Sequence, residues 1–206
     1  DGAFVHQGGM NIGVAATTDD DGDAVAALPA KAGVYLTNDI TGGVLFGGVG
    51  VNDNPDDDED VPTSIISSSG GAPALLIENL KEDGSDLVIG KVDGLNYGVV
   101  HKGTMSVSGS SAGIDAWGIK ILGGEGDAWT RLSGGLHIDK GRVGVSVLDA
   151  SATGIELGER TDVATILNRG TIEVTTSVTS TEDSDGNVTY SDGGAATGVL
   201  VDEGSV

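Results

Sequence analysis

Hard cations take several oxygen ligands at short spacing, and two stretches of this chain supply them. Asp19, Asp21 and Asp23 alternate around Gly22, and Asp183, Asp185 and Asn187 alternate around Gly186, as in the first half of an EF-hand-type calcium loop. Ca2+ is the ion these six residues would hold, although neither stretch carries the closing bidentate Glu at the offset such a loop uses. A denser run, Asp53 to Asp60, is interrupted by Pro55 and contains no Gly, so it reads as a solvated loop.

The other residue types able to do chemistry are dispersed. Polysaccharide lyases and hydrolases bring two or three carboxylates to one strand-lined groove. Here Asp115, Glu156 and Glu173 alternate with apolar neighbours, as outward-facing strand positions do. His6, His101 and His137 are separated from one another and from any Ser or Asp constellation, and the chain has no Cys to pair with them. His101 and His137 are expected at turns or on the surface. Trp117 and Trp129 could stack on a sugar ring, but Trp117 adjoins a strand-opening Gly and is expected to pack or to anchor a strand. Gly42-Gly43 and Gly47-Gly48 lack the Lys-Ser/Thr and helix start of a phosphate loop and read as turns. No catalytic constellation is expected.

The elements that carry these residues repeat. A strand opening of Gly followed by apolar-x-apolar recurs at Gly33-Val34-Tyr35-Leu36, Gly118-Ile119-Lys120-Ile121, Gly154-Ile155-Glu156-Leu157 and Gly198-Val199-Leu200-Val201, with a degenerate copy at Ala74-Leu75-Leu76-Ile77. A second phrase places a basic residue before Gly and then alternates: Lys102-Gly103-Thr104-Met105, Lys140-Gly141-Arg142-Val143 and Arg169-Gly170-Thr171-Ile172. Period-2 alternation specifies strands with one face inward, and the preceding His101, Asp139 and Asn168 suit a tight turn. The glycines of the second phrase are unevenly spaced along the chain, which is compatible with stacked strands whose insertions leave as loops. Residues 17–23, 51–69, 79–86 and 180–194 are the expected loops, and they carry more than half of the 32 acidic residues.

Composition agrees with short aliphatic strands cut by turns. Gly supplies 36 of the 206 residues and aromatics only 3%, while the apolar fraction is still 38%. A net charge of −22 makes nucleic acid and anionic membranes poor partners. No run of 18 apolar residues exists to insert this segment in a membrane. Such an acidic surface suits a medium that holds divalent cations, outside a cell.

The phrases Thr153-Gly154-Ile155-Glu156-Leu157-Gly158 and Ile166-Leu167-Asn168-Arg169-Gly170-Thr171-Ile172 resemble the passenger repeats of bacterial autotransporter-like surface proteins. The stretch Thr41 to Gly50, followed by the Asp-rich run, is similar to large alphaproteobacterial, sphingomonad-type members of that group. The resemblance implies a secreted cell-surface scaffold anchored through an outer-membrane barrel elsewhere in its parent chain. The sequence-level expectation is therefore an all-β parallel β-solenoid over residues 1–206 with acidic loop insertions, continuing beyond both ends in the parent. Its role would be structural and extracellular, as an adhesin stalk, surface-layer or fibre component. Its partners would be neighbouring copies of itself, the rest of its own chain, or surface glycans. The alternative is a carbohydrate-binding or polysaccharide-cleaving β-helix module, which would require acidic and aromatic side chains to converge.

Overall fold

The computed structural model describes residues 2–13, 17–18, 24–25, 31–47, 64–109 and 111–206. Every regular element among them is a strand. The first passage of the chain gives β1 (Phe4–His6), β2 (Gly8–Ile12), the short antiparallel pair β3 (Thr17–Thr18) and β4 (Ala24–Val25), and β5 (Val34–Leu36). The second gives β6 (Val44–Phe46), β7 (Ser64–Ser69), β8 (Leu75–Glu78) and β9 (Leu87–Ile89). The third gives β10 (Val99–His101), β11 (Thr104–Ser108), β12 (Ala116–Leu122) and β13 (Thr130–Leu132). The fourth gives β14 (Leu136–Ile138), β15 (Arg142–Leu148), β16 (Ala152–Leu157) and β17 (Thr161–Val163). The last gives β18 (Ile166–Asn168), β19 (Thr171–Ser177), an antiparallel hairpin of β20 (Ser180–Glu182) and β21 (Val188–Tyr190), and β22 (Ala196–Val201).

Each passage contributes one strand to each of three sheets, always in the same order and always parallel, and the second, third and fourth passages each add a strand to a fourth. The first sheet is β1-β6-β10-β14-β18, the second β2-β7-β11-β15-β19 read from its other edge, the third β5-β8-β12-β16-β22, and the fourth β9-β13-β17. Ile40 extends the fourth sheet by a bridge to Ile89, and Val206 does so at the other side through backbone bonds to Thr161 and Val163. The inward faces form one apolar cluster running through all four sheets, with Phe46, Ile66, Leu75, Leu87, Ile119, Leu136 and Ile155 at 0% exposure. Burying each such side chain contributes roughly 1.5–3 kcal/mol.

The two repeated phrases have separate structural jobs. The Gly-apolar phrases are the strands of the third sheet, and their glycine lies where the backbone itself reaches the core. A Cβ at Gly33 would sit 3.0 Å from Ile66 Cγ2, and one at Gly154 would sit 2.5 Å from Ile172 Cγ2. At Gly118 it would run into Val143 Cγ1. Each contact is with the second-sheet strand of the following passage. The basic-Gly phrases open second-sheet strands, and their glycines let neighbouring passages approach at the corner. A Cβ on Gly103 would strike the Ser64 carbonyl, and one on Gly141 would lie 2.7 Å from the His101 oxygen.

Two expectations are corrected. Residues 51–69 do not form a loop to their end, because Ser64–Ser69 is β7. Its inward positions include Ser64 and Ser68, at 0% and 4% exposure, whose hydroxyls are satisfied by His6 Nδ1 at 2.7 Å and by the Ala72 carbonyl at 2.7 Å. His101 and His137 are likewise not surface residues, at 0% and 8% exposure. His101 faces the core from the first sheet, while His137 lies on that sheet's other side, where the segment from Val92 to Tyr97 folds over Leu45 and Val100.

Candidate functional site

The Asp183–Asn187 stretch turns the exposed β20–β21 hairpin. Asp183 Oδ1 accepts from the backbone N–H groups of Asp185 and Asn187, both at 2.9 Å, and Asp183 Oδ2 accepts from Asn187 Nδ2 at 2.9 Å. The Asn187 side chain, then its backbone, hold the Asp183 carboxyl below the usual carboxylate range. The pattern that reads as half a calcium loop is thus also the pattern of an Asx turn, in which the carboxylate closes the backbone on itself. A cation here would have to displace those donors. Asp19, Asp21 and Asp23 lie outside the described residues. Among the described residues no three His, Asp or Glu side chains are grouped to hold a metal ion.

The base of the same hairpin is tied to the sheets by Asp149, a residue not singled out from sequence. Its carboxylate accepts from the Thr179 backbone N–H at 2.8 Å, from Thr179 Oγ1 at 2.7 Å and from the Ser191 hydroxyl. Ser191 first, then Thr179, hold this carboxyl below its ordinary range. Asp149 itself has φ 52°, a left-handed conformation that Asp tolerates better than most residues.

The outer face of the third sheet gathers Trp117, Lys120 and Glu156. Lys120 is opposite Glu156 in register, and their ion pair closes at 2.9 Å. The same ammonium lies 4.2 Å from the Trp117 ring centroid. Glu156 was expected to face solvent and is 8% exposed, because the long Lys120 side chain and the flanking strands cover it. On the same face Tyr35 donates to Glu78 at 2.6 Å, and burial, then the Glu78 carboxylate, push its hydroxyl up to about 12. Asp115 is elsewhere, accepting from the Ser151 backbone at 2.7 Å, and Glu173 pairs with Arg142 at 2.8 Å on the second sheet.

Trp129 belongs to a separate group on the fourth sheet. Arg131 lies 5.4 Å from its ring and bridges Asp86 at 2.7 Å and Asp162 at 2.8 Å, so one guanidinium ties three successive passages. The Arg131 hydrogen bond is the main reason the Asp86 carboxyl stays below its usual range. Lys81 does the same for Asp39 one passage earlier, at 2.8 Å. The five acidic and aromatic candidates for a sugar-processing groove therefore divide: Trp117 and Glu156 share Lys120, while Asp115, Glu173 and Trp129 have other partners.

A shallow trough on the outer face of the second sheet had no sequence signal beyond its serines. It is lined by Asn11, Ser67, Ser69, Ser106, Ser108 and Ser146. Period-2 alternation aims these side chains outward, and parallel in-register pairing puts them in rows across β2, β7, β11 and β15.

Comparison of the chain with protein-family models, with curated proteins and with solved structures finds no match.

Proposed function

We propose that this chain is a β-solenoid module with a structural role outside the cell, in the manner of an autotransporter-like passenger, and that it works by stacking on neighbours of its own kind. The observation that carries this reading is the state of the last passage. Val199 and Val201 are in register with Ile155 and Leu157, which are 0% and 4% exposed, yet they are themselves 42% and 57% exposed. They are core residues by position, and no further layer covers them among the described residues. One more layer of parallel strands, supplied by a neighbouring copy, would bury them and pair the edges of β18, β19 and β22 that have no further strand beside them among the described residues. The acidic surface keeps such stacks soluble and confines association to the layer ends.

The recurrence of parallel strands in the same sheet order from passage to passage supports a solenoid, since stability then accumulates layer by layer. Sedimentation and electron microscopy over a range of protein concentrations test the stacking. Linear assemblies are expected from this chain, and Val199→Lys with Val201→Lys, which places two ammonium groups on that end, is expected to return monomers. A strictly monomeric chain at high concentration would remove self-stacking from the reading.

A further inference from the structure

His101 ends β10 and points into the main core, with its ring 6.1 Å from Phe46, which in turn is 6.3 Å from His6. Residues 6, 46 and 101 are in register across β1, β6 and β10, so the three rings form a column beside the corner between the first and second sheets. His101 Nε2 is 3.0 Å from the Arg142 carbonyl oxygen of the next passage. A carbonyl only accepts, so Nε2 carries the hydrogen and Nδ1 is a bare lone pair. Nδ1 is buried and has no hydrogen-bond partner among the described residues. It is the atom to which any added proton must go.

Among the described residues, the groups around it offer that proton no acceptor. From β1 comes His6, whose own Nδ1 meets Ser64 Oγ at 2.7 Å. From the corner comes Lys102, paired with Asp139 at 3.6 Å, and from β15 Arg142, whose guanidinium turns outward to Glu173. β6 and β14 contribute Phe46 and Ile138. His137 is opposite Val100 and faces the other side of the sheet.

We propose that His101 makes this corner acid-sensitive: protonation at Nδ1 creates a buried charge without an acceptor, which the fold relieves by opening the Lys102–Gly103 turn and releasing the bond to Arg142 that joins the third passage to the fourth. Desolvation by the core holds His101 below its ordinary value, with the Arg142 carbonyl working in the opposite direction. The unfolded chain therefore takes up the proton first. Stability is fully present above about pH 6.5 and declines as pH falls below it.

The test is urea unfolding followed by tryptophan fluorescence from about pH 8 to about pH 5, a window above most carboxylate titrations. His101→Gln keeps a donor for Arg142 without a titrating ring, and His101→Phe repeats the ring that Phe46 supplies one layer away. The unfolding constant of the unmodified protein should rise by up to about tenfold per pH unit relative to either variant, the limit for one linked proton. Parallel pH profiles would overturn the proposal. Ring-nitrogen NMR of the unmodified protein tests it without a variant: the Nε2–H tautomer should persist until native signals vanish. A ring that titrates at an ordinary midpoint within an unchanged native spectrum would also overturn it.

Discussion

Adding one methyl group at Gly118 should cost far more than adding the same group at Gly198, although both occupy the same slot of the same repeat. A Cβ on Gly118 would overlap Val143 Cγ1 and stand 2.5 Å from the Gly154 carbonyl oxygen, while a Cβ on Gly198 meets nothing within 4 Å. The Gly154 carbonyl belongs to the next strand and cannot retreat without loosening the pairing of β12 with β16, so Gly118→Ala falls toward the upper end of overpacking costs, about 3 kcal/mol. Gly198→Ala should be neutral or stabilising by about 0.5–1 kcal/mol, because a strand glycine loses more chain entropy than alanine. The second passage shows how the chain accommodates a methyl group here. Ala74 holds the glycine slot, and the second-sheet position that is Ile66, Val143 or Ile172 opposite the glycines is there Met105, unbranched at Cβ. Gly118→Ala combined with Val143→Met should accordingly recover much of the loss. Urea midpoints of the two single variants and the double variant measure all three quantities. Equal shifts for Gly118→Ala and Gly198→Ala would refute the argument that interlayer contact, rather than backbone conformation, keeps glycine in the repeat.

Glu156→Gln should destabilise by about 2 kcal/mol, since it removes the charge from a hydrogen-bonded pair that is largely covered, and it should alter Trp117 fluorescence as Lys120 shifts on the ring. Acid should weaken the fourth sheet as well: the Asp86 and Asp39 carboxyls lie below their ordinary range, so their contribution is present above about pH 4 and is lost as pH falls further, and Asp86→Asn should flatten that part of the unfolding profile. Calcium binding at Asp183, Asp185 and Asn187 would require Asp183 to release its turn, so titration should shift the amide signals of Asp185 and Asn187 together; unchanged amides at saturating calcium would refute that site.

Period-2 alternation and the recurring glycines by themselves determined that the chain is all-β and where β11, β15 and β19 of the second sheet and the strands of the third sheet run, because alternation is a direct image of a face buried on one side. The three-residue strands of the first and fourth sheets, such as Val44–Phe46 and Leu87–Ile89, are too short to display a period, and only the pairing partners one passage away define them. β7 was hidden for a different reason: its inward hydroxyls look polar in sequence and become core-compatible only once His6 and the Ala72 carbonyl are brought to them. The same holds for the sites. The Asp183 pattern was legible as an oxygen-rich turn, but which atoms its carboxylate faces depends on the closed hairpin. The burial of His101, the covered Lys120–Glu156 pair and the Asp149 clamp join residues 30 to 42 positions apart, and such contacts exist only after parallel stacking has fixed the register.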